Sequence, residues 1–486
     1  MTLELVKNLL KRNNVWLLLS ISFVLYKAVT GSITGDELST LQIISNLNYK
    51  EILNHSYDYD FNPPLYYLLT KISFNLIPTN LGFRLITVIA FVFVQTAILR
   101  LIIPENKTLS TGWVLLNPLM IYLGCFGRSY MLAIAICLMV YYYTLKVFQS
   151  KKNNPLIVLY LGIIITIGFL TNYLVGAFTA LLYIILISIN RFSNSSIINT
   201  IKIFVLCLPV ILIEIPYILS YTEILGGIKQ TQATNGPIIQ LIYMVYGIIF
   251  GETLAPVNLF VILLSGIIAV MVFYSLIKIR NRLSKETSLI LAICAVAIPI
   301  TSFTNFGRPM YLFYIVPLLP IPFIELTTKG NRRFSIVLTI IFILIYLFSN
   351  LNFLTNNSKY YFSPVATIQY DELFKNWNSK NSLTIITPSY NKSNFYRLNS
   401  KDTKNIWFVN NYDIDSTDDY LNNLTQKMSL FDTIHFIHEK PDTIITAIHE
   451  RIITEFDIIS HQCDEHKSLT TKSDYCYFTV NSYSRR

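Results

Sequence analysis

Charge is scarce in this sequence. Only 14% of the 486 residues are charged, whereas 53% are hydrophobic and the mean hydropathy is +0.49. Soluble domains carry roughly a quarter charged residues, so a water-soluble enzyme of this size is excluded. Glycine (17), proline (18) and cysteine (6) are too few for a collagen-like repeat, a low-complexity chain or a disulfide scaffold. Histidine is rarer still: His55 stands alone before residue 430, and no His/Cys ligand spacing occurs in the apolar part. Aspartate is nearly missing, with only Asp36, Asp58 and Asp60 in the first 370 residues.

What remains is a membrane protein with a polar tail. Up to Leu354 there are 24 Lys and Arg against 12 Asp and Glu; beyond it the balance is 14 against 16. The basic excess lies among apolar stretches, where it orients membrane helices rather than binding nucleic acid. Runs long enough to cross a ~30 Å core lie near 15–31, 83–103, 112–127, 129–148, 155–171, 172–189, 201–221, 256–277, 287–305, 309–326 and 334–354. Two shorter runs, Pro63–Ile77 and Pro237–Phe250, are read as helices on the outer surface. That choice leaves 17 basic residues in the inner loops and 7 on the outer half. The run after Lys11 and Arg12 lacks a small-residue cleavage site, so it reads as a first span and not a cleaved signal peptide.

The expected fold class is therefore an all-α polytopic membrane domain over 1–354, with eleven spans and a first outer loop over 31–82. A small α/β domain over 355–486 follows. In it, β-rich runs (SLTIITP, NIWFVN, DTIHFIH, DYCYFTV) alternate with helical candidates (DDYLNNLTQKM, PDTIITAIHERI). The N-terminus is placed in the cytoplasm and the tail outside, in the periplasm of a bacterial inner membrane. Four cysteines (Cys125, Cys137, Cys207, Cys294) fall in apolar segments as small core residues. Cys463 and Cys476 lie in the tail, where an oxidising compartment would allow a disulfide. With His461 and His466 they mimic a zinc set, but their spacings match no standard ligand pattern.

Two constellations carry chemistry. All three early aspartates fall in the first outer loop, with Glu37 beside Asp36; carboxylates at a membrane interface are costly and mark function, although polar residues also belong in wet loops. Three arginines break the inward bias: Arg84 at the start of the second span, Arg128 at the end of the third and Arg308 at the start of the tenth. Guanidinium forks grouped at one membrane level suit a phosphate; the competing reading is lipid-headgroup anchoring. Glu214 in mid-span and Glu252 near the outer surface are weaker candidates. Tyr122, Tyr130 and Tyr314 read as interface belt.

In order, these residues resemble a known family. Asp36-Glu37 after the first span, then Asp60-Phe-Asn62-Pro-Pro-Leu-Tyr66-Tyr67, then Arg84-Leu, resemble the GT-C glycosyltransferases. The nearest group is that of the protein O-mannosyltransferases and lipid A aminoarabinose transferases. The resemblance covers about residues 30–150, extended loosely by Gly-Arg128-Ser-Tyr and Arg308-Pro-Met-Tyr311. It implies a first outer loop carrying two juxtamembrane helices and a donor sugar linked to polyprenyl phosphate. The acceptor would be a hydroxyl on lipid A, a glycan or a protein.

By position, the resemblance makes Asp36 the general base, Glu37 its acidic neighbour and Arg84 a support for the active site or lipid phosphate. Asp58, Asp60, Asn62, Tyr66, Tyr67, Arg128, Arg308 and Tyr311 are the candidate substrate contacts. Where members often carry His or Lys before the Pro-Pro pair, this chain has Asn62. Phosphate recognition then rests on Arg84, Arg128 or Arg308. No cofactor is expected; Asp58 and Asp60 could hold a divalent metal, though the resemblance implies metal independence. Two other classes share the apolar spans and the arginines. A flippase for lipid-linked sugars would place charges near the midplane in paired halves, and an O-antigen polymerase or ligase usually carries its large loop late.

Overall fold

The computed structural model describes residues 12–31, 35–55, 63–101, 108–149, 155–189, 194–228, 237–251, 259–303, 312, 314–329, 332–355, 382–387, 406–408, 417–438, 443–467 and 474–485. It divides into two compact units. The first comprises 1–30 and 43–355; the second comprises 31–42 and 356–486. Residues 31–42 of the first outer loop, with Asp36 and Glu37, thus group with the tail.

The first unit is helical. In chain order it contains α1 (Arg12–Thr30), the last turn of α2 (Gly35–Asn46), α3 (Tyr49–His55), α4 (Leu65–Leu76) and α5 (Asn80–Leu101). Then follow α6 (Thr108–Leu115), α7 (Pro118–Gly124), α8 (Tyr130–Gln149), α9 (Pro155–Thr171), α10 (Tyr173–Ile189) and α11 (Asn194–Ile228). The last five are α12 (Pro237–Phe250), α13 (Leu259–Ile279), α14 (Lys285–Phe303), α15 (Pro320–Lys329) and α16 (Arg332–Leu354). Among the described residues, four stretches are long and apolar enough to cross a membrane: Asn80–Arg100, Tyr130–Val147, Ile197–Ile215 and Ser335–Leu354. The chain is a multi-pass membrane protein. Its outward faces are apolar, with Leu212 on α11 and Val270 and Phe273 on α13 exposed, as a helix facing lipid requires.

Two expected spans are broken: the described part of 309–326 gives a 3-10 turn over Val316–Leu318 and then α15, of ten residues. The run 112–127 forms α6 and α7, with Asn117 between them in an extended conformation (φ −51°, ψ 120°). Pro118 offers no N–H and disfavours a helical residue before it. The Asn117 side chain then caps α7, accepting from the Met120 N–H at 3.1 Å. The two short apolar runs form α4, of 12 residues, and α12, of 14, both below the ~17–25 residues of a spanning helix.

Interior glycines set close approaches. A Cβ on Gly82 would overlap the carbonyl oxygen of Ile77 in the turn between α4 and α5. Gly82→Ala is therefore expected to force that backbone apart and cost about 1–3 kcal/mol, read as a lower unfolding temperature of the detergent-solubilised protein. A melting temperature equal to the wild type's would contradict it.

The second unit holds a five-stranded sheet in the order β2-β1-β3-β5-β4, from β1 (Ser382–Thr387), β2 (Ile406–Phe408), β3 (Thr433–His438), β4 (Phe456–Lys467) and β5 (Asp474–Arg485). Strands β1, β2 and β3 run parallel, and β5 is antiparallel to both β3 and β4. Helices α17 (Thr417–Met428) and α18 (Thr443–Glu455) fill the parallel crossovers. Leu424, Met428, Ile448 and Ile452 from these helices bury against Leu383, Ile385, Ile434 and Phe436. Strand β4 was not expected, because FDIISHQCDEHK is too polar to read as a strand alone. The register pairs Cys463 with Thr479 and Cys476 with Glu465, so the two cysteines are not cross-strand partners.

On β3, His435 Nδ1 lies 3.0 Å from Ser482 Oγ on β5. Burial holds this imidazole below its ordinary value of 6.5, so the folded unit takes up the proton less readily than the unfolded chain. Stability from the neutral ring is complete above about pH 6.5 and is lost as pH falls through the lowered value. Amide exchange of β3 and β5 in the full chain, corrected for intrinsic rates, is expected to quicken below that pH. His435→Gln should remove the change; an unaltered profile in the variant would assign it elsewhere.

Candidate active site at the ends of α1, α5 and α16

Several helix ends of the first unit meet around two buried cations. Arg84, four residues into α5, is 3% exposed. Its Nη1 donates to the Lys27 and Ala28 carbonyls, at 3.4 and 3.3 Å. These are last-turn carbonyls of α1, the groups a helix leaves without intrahelical partners. Lys27, 6% exposed, does the same for α16: Nζ donates to the Phe353 carbonyl at 2.9 Å and sits 4.7 Å from that ring's centroid. Lys71 donates to the Ile44 carbonyl at 2.7 Å near the end of α2. Each cation lies where a helix dipole turns negative.

Aromatic rings extend the cluster. Phe353 meets Tyr122 edge-on at 5.8 Å, Tyr122 stacks on Phe126 at 5.2 Å, and Phe126 stacks on Tyr130 at 6.1 Å. Arg128, half-buried, lies in the bend between α7 and α8 that this stack braces. The Gly124 Cα faces the Phe91 ring so closely that a Cβ would lie 2.5 Å from it, which holds α7 against α5. Tyr66 and Tyr67 are buried in the α4–α5 contact. Tyr66 Oη lies 3.0 Å from Thr87 Oγ1, and the two tyrosine rings meet edge-on at 6.3 Å. Both rings pack this contact.

In the second unit, Asp36 and Glu37 are the second and third residues of α2. A helix start favours acidic side chains through its exposed N–H groups, which accounts for the pair without any catalysis. Glu37 is fully buried, as is Thr40 one turn on; a carboxylate so placed needs hydrogen-bonding partners. Asp36 is placed by its backbone alone. Asp58, Asp60, Asn62, Arg308, Tyr311 and Glu252 lie outside the described residues, as do the side chains of Cys463 and Cys476. Glu214 is fully buried on α11. Among the described residues no group of three His, Cys, Asp or Glu gathers to hold a metal.

The structure adds one residue that the sequence analysis did not single out. Lys27 counts there only among the seven outward basic residues. A lysine inside the apolar run VLYKAV, one turn before the span ends, is the signal that marks it.

No protein-family model matches the sequence, and no curated protein does. Among solved structures, the chain is similar to the crystal structure of ArnT from Cupriavidus metallidurans in the apo state. The TM-score is 0.53 at 12% identity, over 96% of this chain and 97% of that one. ArnT from the same organism bound to undecaprenyl phosphate gives a TM-score of 0.47 at 10% identity, over 96% and 97%. The chain thus shares the fold of that ArnT structure over nearly its whole length.

Proposed function

We propose that this protein is an integral-membrane glycosyltransferase. It moves a sugar from a polyprenyl-phosphate donor to a hydroxyl acceptor on the outer face of a bacterial inner membrane. Eleven crossings, a cytoplasmic N-terminus and a periplasmic domain over 355–486 complete the proposal.

The observation that carries it is the buried Lys27–Arg84 pair at the ends of α1, α5 and α16, in a chain with the fold of ArnT. Arg84 is held by two backbone carbonyls, and Lys27 by the Phe353 carbonyl and ring, so each position is set before any ligand arrives. A fixed cation costs no reorganisation when charge develops on a departing phosphate. Arg128 and Arg308 supply further phosphate contacts in this scheme.

A phosphate-linked sugar is already activated, so the chemistry left to the protein is small. Asp36 takes the proton from the acceptor hydroxyl as the oxygen attacks the anomeric carbon. The bond to phosphate oxygen breaks, its electron pair leaving on the polyprenyl phosphate. One displacement inverts the anomeric centre. Glu37 positions the helix start that carries Asp36.

The test uses purified full-length protein and the polyprenyl-phosphate lipids and envelope glycolipids of the source cells. Transfer with release of polyprenyl phosphate is expected. A flippase would form no product, and a polymerase or ligase would require pyrophosphate-linked glycans.

A further inference from the structure

Two neighbouring connections carry a dense set of cations. Lys278, Arg280, Arg282 and Lys285 fall where α13 passes into α14. Lys329, Arg332 and Arg333 fall where α15 gives way to α16. In the stretches 278–286 and 325–333 only Glu286 and Glu325 are acidic. Orienting helices requires no more than a bias to one side, and the other segments read as inner hold two or three basic residues each.

Hydrogen bonds lock the two connections into one platform. Glu325 is 8% exposed. Its carboxylate accepts from the Ser284 N–H at 2.8 Å and from the Ser284 hydroxyl at 2.9 Å, and it pairs with Lys329 one turn on. Lys329 Nζ also donates to the Arg282 carbonyl at 2.6 Å. Ser284 Oγ accepts from the Thr287 N–H at 3.1 Å and so caps α14. The buried carboxylate is thus satisfied by the connections it joins. Lys278, Arg282, Lys285, Lys329 and Arg333 are exposed on the platform.

The surface beside these cations is apolar. Tyr274 and Ile277 on α13 are 53% and 49% exposed, and Val337 on α16 is 50% exposed. Lys278 Nζ lies 5.7 Å from the centroid of the Tyr274 ring, a cation and an amphipathic ring as found at a membrane–water boundary. A matching ligand carries an anion at one end and hydrocarbon at the other. Inorganic phosphate or an acidic soluble protein would leave the apolar turns uncovered. The platform also lies far from the Lys27–Arg84 cluster. Phe353, which meets Lys27, follows Arg333 by 20 residues along α16, about 30 Å by the 1.5 Å rise.

We propose that this platform holds the phosphodiester headgroup of an anionic glycerophospholipid, with its acyl chains against the adjoining apolar turns. The site lies at the opposite end of α16 from the candidate active site and is separate from the sugar-transfer chemistry.

The test places the full-length protein in nanodiscs of phosphatidylethanolamine with or without phosphatidylglycerol of the same acyl chains. Retained lipids are counted by native mass spectrometry, and phosphatidylglycerol should be held in preference. Arg282→Gln with Lys285→Gln should lower that preference about 25-fold, from about fivefold for each basic residue at an anionic surface. Lys146→Gln with Lys202→Gln removes the same charge from exposed positions elsewhere and should leave it unchanged. Amide exchange of the wild type needs no variant: phosphatidylglycerol should slow exchange in peptides covering 278–286. The proposal is overturned by equal retention of the two lipids, by an equal loss in both variant pairs, or by exchange that phosphatidylglycerol does not alter. Preferential retention of undecaprenyl phosphate over phosphatidylglycerol at these peptides would also overturn it.

Discussion

Asp36→Asn is expected to slow sugar transfer by about 10²–10⁴-fold, the usual weight of a positioned general base, while leaving the protein inserted and folded. The substitution keeps the size of the side chain and removes only its capacity to take a proton. Asparagine is also well tolerated near a helix start, so α2 should form as before. Glu37→Gln provides the contrast. Glu37 is fully buried, and breaking a buried carboxylate's contacts costs stability first. A lower melting temperature with transfer per folded molecule near the wild-type rate is expected for it. The measurement is initial rate per correctly folded protein in nanodiscs, with folding scored by size exclusion. Wild-type turnover by Asp36→Asn would remove the base from the scheme.

Arg84→Ala carries the second large effect, and here two roles must be separated. The side chain caps the last carbonyls of α1, and leaving these buried acceptors open costs about 1–3 kcal/mol. Preorganised charge on a leaving phosphate contributes about 10²–10³ in rate. Transfer should therefore fall by at least that factor beyond any loss of folded protein, with a raised KM for the donor. Arg84→Lys keeps the charge but not the fork and should lie between. If Arg84 serves only α1, melting falls in both variants while the rate per folded molecule stays constant.

Much of the helical unit was legible because a spanning helix must be apolar over most of its length, and hydropathy reads that directly. The break at Asn117 was masked by the same signal: residues on both sides are apolar, so the run looks continuous although Pro118 marks the interruption. In the tail, strands with clear β-branched runs were readable. Strand β4 was not, because its polar residues are accommodated by pairing with β5 rather than by local preference.

The site was legible as residue types in order, but not as contacts. Arg84 stands out in sequence as an outward arginine, yet nothing local says that it grips the end of α1. Lys27 hides inside an apolar run and becomes visible once Phe353, 326 residues away, supplies its carbonyl. Tyr66 and Tyr67 follow the Pro-Pro pair as expected for substrate contacts, but their burial and the Thr87 hydroxyl that meets Tyr66 depend on the next helix. Cations at helix C-termini depend on tertiary placement, which composition cannot express.

The account turns on a carboxylate-assisted single displacement at a polyprenyl phosphate. Its most direct measurement is the anomeric configuration of the product, by proton NMR, alongside the polyprenyl phosphate released per sugar transferred by the purified protein. Inversion with one phosphate released per transfer, both dependent on Asp36, is the predicted result. Retention of configuration, or transfer that releases no polyprenyl phosphate, would contradict it.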